Sequence, residues 1–113
     1  ARQRDYLAAH FARDKGAGRL GEVALVDRAS RIGQANRVYH TTLLDENAVA
    51  HVALGSAYGA TRFPDPTIKG DRGLNASKIH TDVMIGCDEL DVIGTTAKGQ
   101  QVPIIETGTW VLA

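Results

Sequence analysis

The stretch LDVIGTTAKGQQVPIIETGTWVL, residues 90–112, reads as three short strands joined by two turns. Leu90–Thr95, Val102–Ile105 and Thr109–Leu112 are rich in β-branched residues, which suit a pleated, half-buried surface. Lys98-Gly99 supplies the first turn and Glu106-Thr107-Gly108 the second, with glycine where the chain must reverse. The last third is therefore expected to be a β-meander.

Working towards the N-terminus, Ser77–Ile85 reads as a further strand. Ala60–Gly73 carries Pro64, Pro66, Gly70 and Gly73 and reads as a long loop. Asp45 is a suitable N-cap for a short helix from about Glu46 to Leu54, closed by Gly55. Arg37–Leu44, with Val38-Tyr39-His40-Thr41-Thr42, is a strand candidate, and the polar stretch Asp27–Gln34 a loop. Gly21–Val26 (GEVALV) is another strand candidate, with Val23 and Leu25 on one side and Glu22, Ala24 and Val26 on the other. Residues 1–15 read as a helix, with Tyr6, Leu7, Phe11 and Ala12 on one face and Gly16 and Gly18 ending it. The expected fold class is α+β: a mostly antiparallel sheet with an N-terminal helix, a short central helix and a C-terminal β-meander. The 113 residues suffice for one domain, and no internal repeat is visible.

Composition narrows the function. Thirteen basic residues balance thirteen acidic ones, so charge gives no case for nucleic acid or an anionic membrane surface. Aromatic residues make up only 5%, too few for a base-stacking platform. No run approaches the roughly 20 apolar residues of a membrane span; Ala48–Leu54, for example, is interrupted by His51. A single cysteine, Cys87, rules out an internal disulfide framework, argues for a reducing compartment and reads as a small buried hydrophobe.

Four histidines are present. His10 lies among charges on the first helix and reads as a surface residue; His40 reads as a hydrogen-bonded strand residue. His80 and Asp82 are two apart on a predicted strand, so both side chains leave the same face. An imidazole nitrogen and a carboxylate oxygen placed side by side can share one divalent ion at about 2.0–2.2 Å, or simply pair with each other. Glu22 sits in an apolar strand, where a buried carboxylate demands a partner or a metal. Glu46 and His51 are five apart, about 140° around a regular helix, so they cannot serve one ion from a single helix face. Asn75-Ala76-Ser77 matches a glycosylation acceptor, discounted for want of a secretory signal. Glu, His and Asp together suit Zn, Co or Mn better than a thiolate-type metal.

The order of the blocks GEVALV (21–26), TTLLDENAVAHVALGSAY (41–58), LNASKIHTDVMIG (74–86) and GTTAKGQQVPIIETGTWV (94–111) resembles the thermophilic-type metalloaminopeptidases, the aminopeptidase T and S family. The resemblance implies that Glu22, His51, His80 and Asp82 are metal ligands. It implies that Glu46 is a ligand or base, and that Tyr58 donates a hydrogen bond to substrate or intermediate. It further implies two divalent ions, peptide substrates, a cytoplasmic homodimer and the C-terminal portion of a longer chain. Family members carry an N-terminal α/β portion with another ligand glutamate, which has no equivalent here. The rival reading is a non-catalytic β-rich binding or oligomerisation domain. Convergence of Glu22, His51, His80 and Asp82 on one place would separate the two.

Overall fold

A computed structural model describes residues 2–61 and 73–112. The stretch with Pro64, Pro66 and Gly70, expected as a long loop, lies outside the described residues. The elements are α1 (Arg2–Phe11), β1 (Leu20–Ala24), α2 (Arg31–Gln34), α3 (Thr42–Asp45), β2 (His51–Gly55), β3 (His80–Met84), β4 (Val92–Thr95), β5 (Gln101–Glu106) and β6 (Thr109–Trp110). Short 3₁₀ turns cover Glu46–Ala48 and Gly59–Thr61. One three-stranded sheet has the order β1-β2-β3 and the other β4-β5-β6. The chain divides into two compact units: residues 1–23 with 52–83, and residues 24–51 with 84–113.

In the first unit the buried apolar side chains are Ala17, Ala53 and Ile79. Small residues let backbones approach closely here. A Cβ at Gly21 would collide with the Gly55 carbonyl, and one at Gly55 (φ +110°) with the Ile79 carbonyl. Gly55 N–H donates to the Arg19 carbonyl at 2.8 Å and Ser56 N–H to the Ile79 carbonyl at 2.7 Å. The Asp14 carboxylate accepts from Gly16 N–H (2.8 Å), Lys78 N–H (2.9 Å) and the Ser77 hydroxyl (3.1 Å). These bonds, foremost that from Lys78, hold the Asp14 carboxyl below its ordinary value against the opposing effect of desolvation.

In the second unit Ala50, Ile105 and His51 are buried. The meander forms as expected. β4 pairs antiparallel with β5 and β5 with β6, with an irregularity between Val92 and Ile93 next to the Ile93–Pro103 pair. Proline has no N–H for a ladder bond, so such an irregularity is where it fits. Thr107 (φ +51°) and Gly108 (φ +78°) link Glu106 to Thr109, the two-positive-φ turn that matches strand twist. Thr107 N–H donates to the Asp91 carboxylate at 2.8 Å, which steadies this turn.

Four expectations are corrected. Residues 37–44 form no strand: the backbone wraps the Asp45 carboxylate, which accepts from Tyr39 N–H (2.7 Å) and Thr41 N–H (3.1 Å), and then turns into α3. His40, expected in that strand, is exposed with φ +58°. The helix expected from Glu46 to Leu54 is a 3₁₀ turn followed by β2; the alanines suggested helix, but the alternating burial of His51, Ala53 and Gly55 is that of a strand. Cys87 is exposed, not buried. In addition, Asp27–Gln34 contains the short helix α2, with the Ser30 hydroxyl accepting from Gly33 N–H at 3.1 Å as its N-cap.

Candidate metal centre

His80 and Asp82 leave the same face of β3, as their spacing demands. The imidazole Nε2 of His80 lies 3.2 Å from an Asp82 carboxylate oxygen. Glu22 on β1 brings a second carboxylate oxygen to 3.5 Å from the same nitrogen. β2 stands between β1 and β3, so the two outer strands are roughly 10 Å apart, a distance that Glu and His side chains together can close. All three side chains are largely buried, at 15–22% exposure. In β1 the usual pattern is inverted, with Val23 exposed and Glu22 turned inward.

The other imidazole nitrogen fixes the protonation pattern. His80 Nδ1 lies 2.6 Å from the Ser56 carbonyl, which can only accept, so Nδ1 carries the proton. Nε2 then meets two carboxylates in one of two ways. It donates as an imidazolium, or its lone pair shares a cation with them. A bare lone pair against two carboxylate oxygens is repulsive. The Asp82 oxygen facing Nε2 is fully buried and makes no hydrogen bond among the described residues. A ligand histidine that donates its second N–H to a backbone carbonyl is the common outer support of a metal site.

The Tyr58 ring packs on the His80 ring, with centroids 4.8 Å apart and planes at 43°, while half of the tyrosine stays exposed. Thus Glu22, His80, Asp82 and Tyr58 come together in the first unit. His51 and Glu46 belong to the second. His51 is buried and its Nδ1 donates to the Val49 carbonyl at 3.1 Å, the same arrangement as His80. Glu46 is half-buried in its 3₁₀ turn, so the helical angle between Glu46 and His51 does not apply. Among the described residues no group of three or more His, Cys, Asp and Glu side chains stands arranged to hold a metal ion.

Sequence reasoning missed three supports. The Ser56 carbonyl and the Asn75 side chain gave no signal, because their roles depend on where backbone carbonyls fall. The third is His10, read as a surface residue. It is half-buried between the rings of Tyr6 and Phe11 and sits 3.0 Å from the Thr81 hydroxyl, on the residue between His80 and Asp82.

Two carboxylates and an imidazole braced by a backbone carbonyl make an oxygen–nitrogen donor set of the type metallopeptidases use. The chain belongs to the thermophilic metalloprotease (M29) family, whose sequence profile matches residues 1–110. It is 42% identical over 101 residues to aminopeptidase 2 of Geobacillus stearothermophilus, covering 86% of this chain and 24% of that protein. It is 44% identical over 103 residues to aminopeptidase T of Thermus aquaticus, covering 88% and 25%. The solved structure of wild-type AmpT from Thermus thermophilus superposes with a TM-score of 0.81 at 40% identity, covering 96% of this chain and 27% of that one. The chain thus spans about a quarter of the length of these relatives. Among the described residues no helix is long and apolar enough to cross a membrane.

Proposed function

We propose that the chain carries part of the metal site of an aminopeptidase, with Glu22, His80 and Asp82 as ligands of a divalent ion. One observation carries this reading: His80 donates through Nδ1 to Ser56 while Nε2 faces two carboxylates, one with a buried oxygen that lacks a hydrogen bond. The separations of 3.2 and 3.5 Å support it. Donors at about 2.0–2.2 Å around a tetrahedral ion stand roughly 3.3–3.5 Å from one another.

His51 is proposed as a further ligand, on the family resemblance and on its matching Nδ1 support, and Glu46, on the resemblance, as either a ligand or the general base. Bound ions (two, of the Zn, Co or Mn type) would supply Lewis-acid polarisation of the scissile carbonyl and a more acidic water. In the base role, Glu46 would take the proton of the attacking water. The Tyr58 hydroxyl, on a half-exposed ring seated against His80, would donate to the carbonyl oxygen as negative charge builds there. The substrates are peptides, which lose their N-terminal residues, and the working form is a cytoplasmic homodimer in which further chain completes the site.

Replacing both His80 and Asp82 by alanine is expected to weaken zinc binding at least about a hundredfold, with the circular-dichroism spectrum retained. Unchanged zinc affinity would remove both residues from the site. The chain by itself is expected to show little or no hydrolysis of leucyl-p-nitroanilide with cobalt or zinc added. Turnover equal to that of the long relatives would overturn the partial-site reading.

A further inference from the structure

Resting on the reading of His80 as a metal ligand, we propose that Asn75 is the positioning residue that fixes its imidazole. One terminal atom of the Asn75 side chain lies 2.8 Å from the Gly16 carbonyl, 3.1 Å from that of Arg19 and 2.6 Å from that of Gly55. Three acceptors around one atom identify it as the amide nitrogen. The backbone carbonyl of Asn75 accepts from Ala57 N–H at 2.8 Å. Asn75 therefore grips the chain on both sides of Ser56, through Gly55 and through Ala57. Ser56 is held a third time by its own N–H on the Ile79 carbonyl, adjacent to His80. What remains of Ser56 is its carbonyl, which accepts a hydrogen bond from His80 Nδ1–H at 2.6 Å. The amide nitrogen that a glycan would need is thus committed to internal bonds, and the chain of contacts runs from Asn75 through Gly55 and Ser56 to the imidazole.

This arrangement does more than close a loop. An imidazole with a fixed Nδ1–H tautomer presents its Nε2 lone pair in a set direction. If the Ser56 carbonyl is released, the ring can swing or change tautomer, and it then offers the ion a poorer donor. Asp14 is the natural control, because it ties the same segments together through Gly16, Ser77 and Lys78 without touching Gly55 or Ser56.

The test is long-range proton–nitrogen NMR of the His80 ring in the zinc-loaded chain, where Nε2 is free to face the ion, combined with zinc affinity by chelator competition. Wild type is expected in the Nδ1–H tautomer. Asn75→Ala is expected to mix the tautomers and to weaken zinc binding about tenfold, the lower end for outer-shell substitutions. Asp14→Ala should lose stability yet keep wild-type tautomer and affinity. The proposal is overturned if Asn75→Ala keeps both, or if Asp14→Ala shifts them equally. If Asn75→Ala does not fold, Asn75→Ser, which retains one hydroxyl donor, carries the same readings. A wild-type ring in the Nε2–H tautomer overturns the proposal without any variant. If His80→Ala binds zinc as tightly as wild type, the ligand reading falls, while the tautomer of Asn75→Ala still decides the role of Asn75.

Discussion

At the scale of single residues, the decisive feature is an imidazole with one nitrogen already committed. His80 donates its Nδ1–H to the Ser56 carbonyl, so its Nε2 is left to two carboxylates. Asp82→Asn keeps the shape of the side chain and removes its charge. It is expected to lower zinc affinity by about tenfold or more without loss of fold, as read by chelator competition; an unchanged affinity would exclude Asp82 as a ligand. The His80–Asp82 pair was legible in the sequence because a spacing of two on a strand has one geometric meaning. The inward turn of Glu22 was legible only as a question. A carboxylate in an apolar strand needs a partner, but local pattern does not say which face is buried. The supporting roles of Asn75 and Ser56 were not legible, since Asn75 donates to the Gly55 carbonyl and the Ser56 carbonyl accepts from the His80 ring, each with a partner 20 or more residues away in sequence.

At the scale of elements, turn chemistry and helix propensity fared differently. The meander and its turns were read correctly, because glycine at positive φ leaves few alternatives. Thr107 is the costly member of its turn, a β-branched residue at φ +51°. Thr107→Asn is expected to raise stability by about 0.5–1 kcal/mol in urea unfolding; a loss would mean that the threonine side chain contributes more than its backbone costs. β2 was misread as helix because alanine favours helices, whereas the place of this segment in the middle of a sheet overrides propensity. Asp14 joins the loop after α1 to the segment before β3. Its carboxyl is held below the ordinary 3.8, so its stabilisation is present above that value and lost as pH falls through the lowered one. The urea midpoints of wild type and Asp14→Asn should therefore differ by a constant amount from neutral pH down to about 3.8 and converge below it. A difference that grows on acidification would contradict the assigned bonds.

At the scale of the whole molecule, the fully buried apolar side chains among the described residues are few and mostly small, while Leu20, Val23, Val38, Leu43, Ile93 and Leu112 are exposed. With no net charge and a pI near 7.1, little opposes self-association through such surface at neutral pH. Light scattering is expected to show association strongest near pH 7 and relieved on either side, whereas a monomer throughout would contradict this. The α+β class, with its N-terminal helix and C-terminal meander, was legible from periodicity and turns. The division into two units was not, because each unit joins segments far apart in the sequence. The central claim is that Glu22, His80 and Asp82 form a metal site. Anomalous diffraction at the zinc edge, from crystals of this chain grown with zinc, tests it most directly. A peak is expected within coordination distance of His80 Nε2 and the facing carboxylate oxygens; a peak on other residues only, or none, would exclude the site.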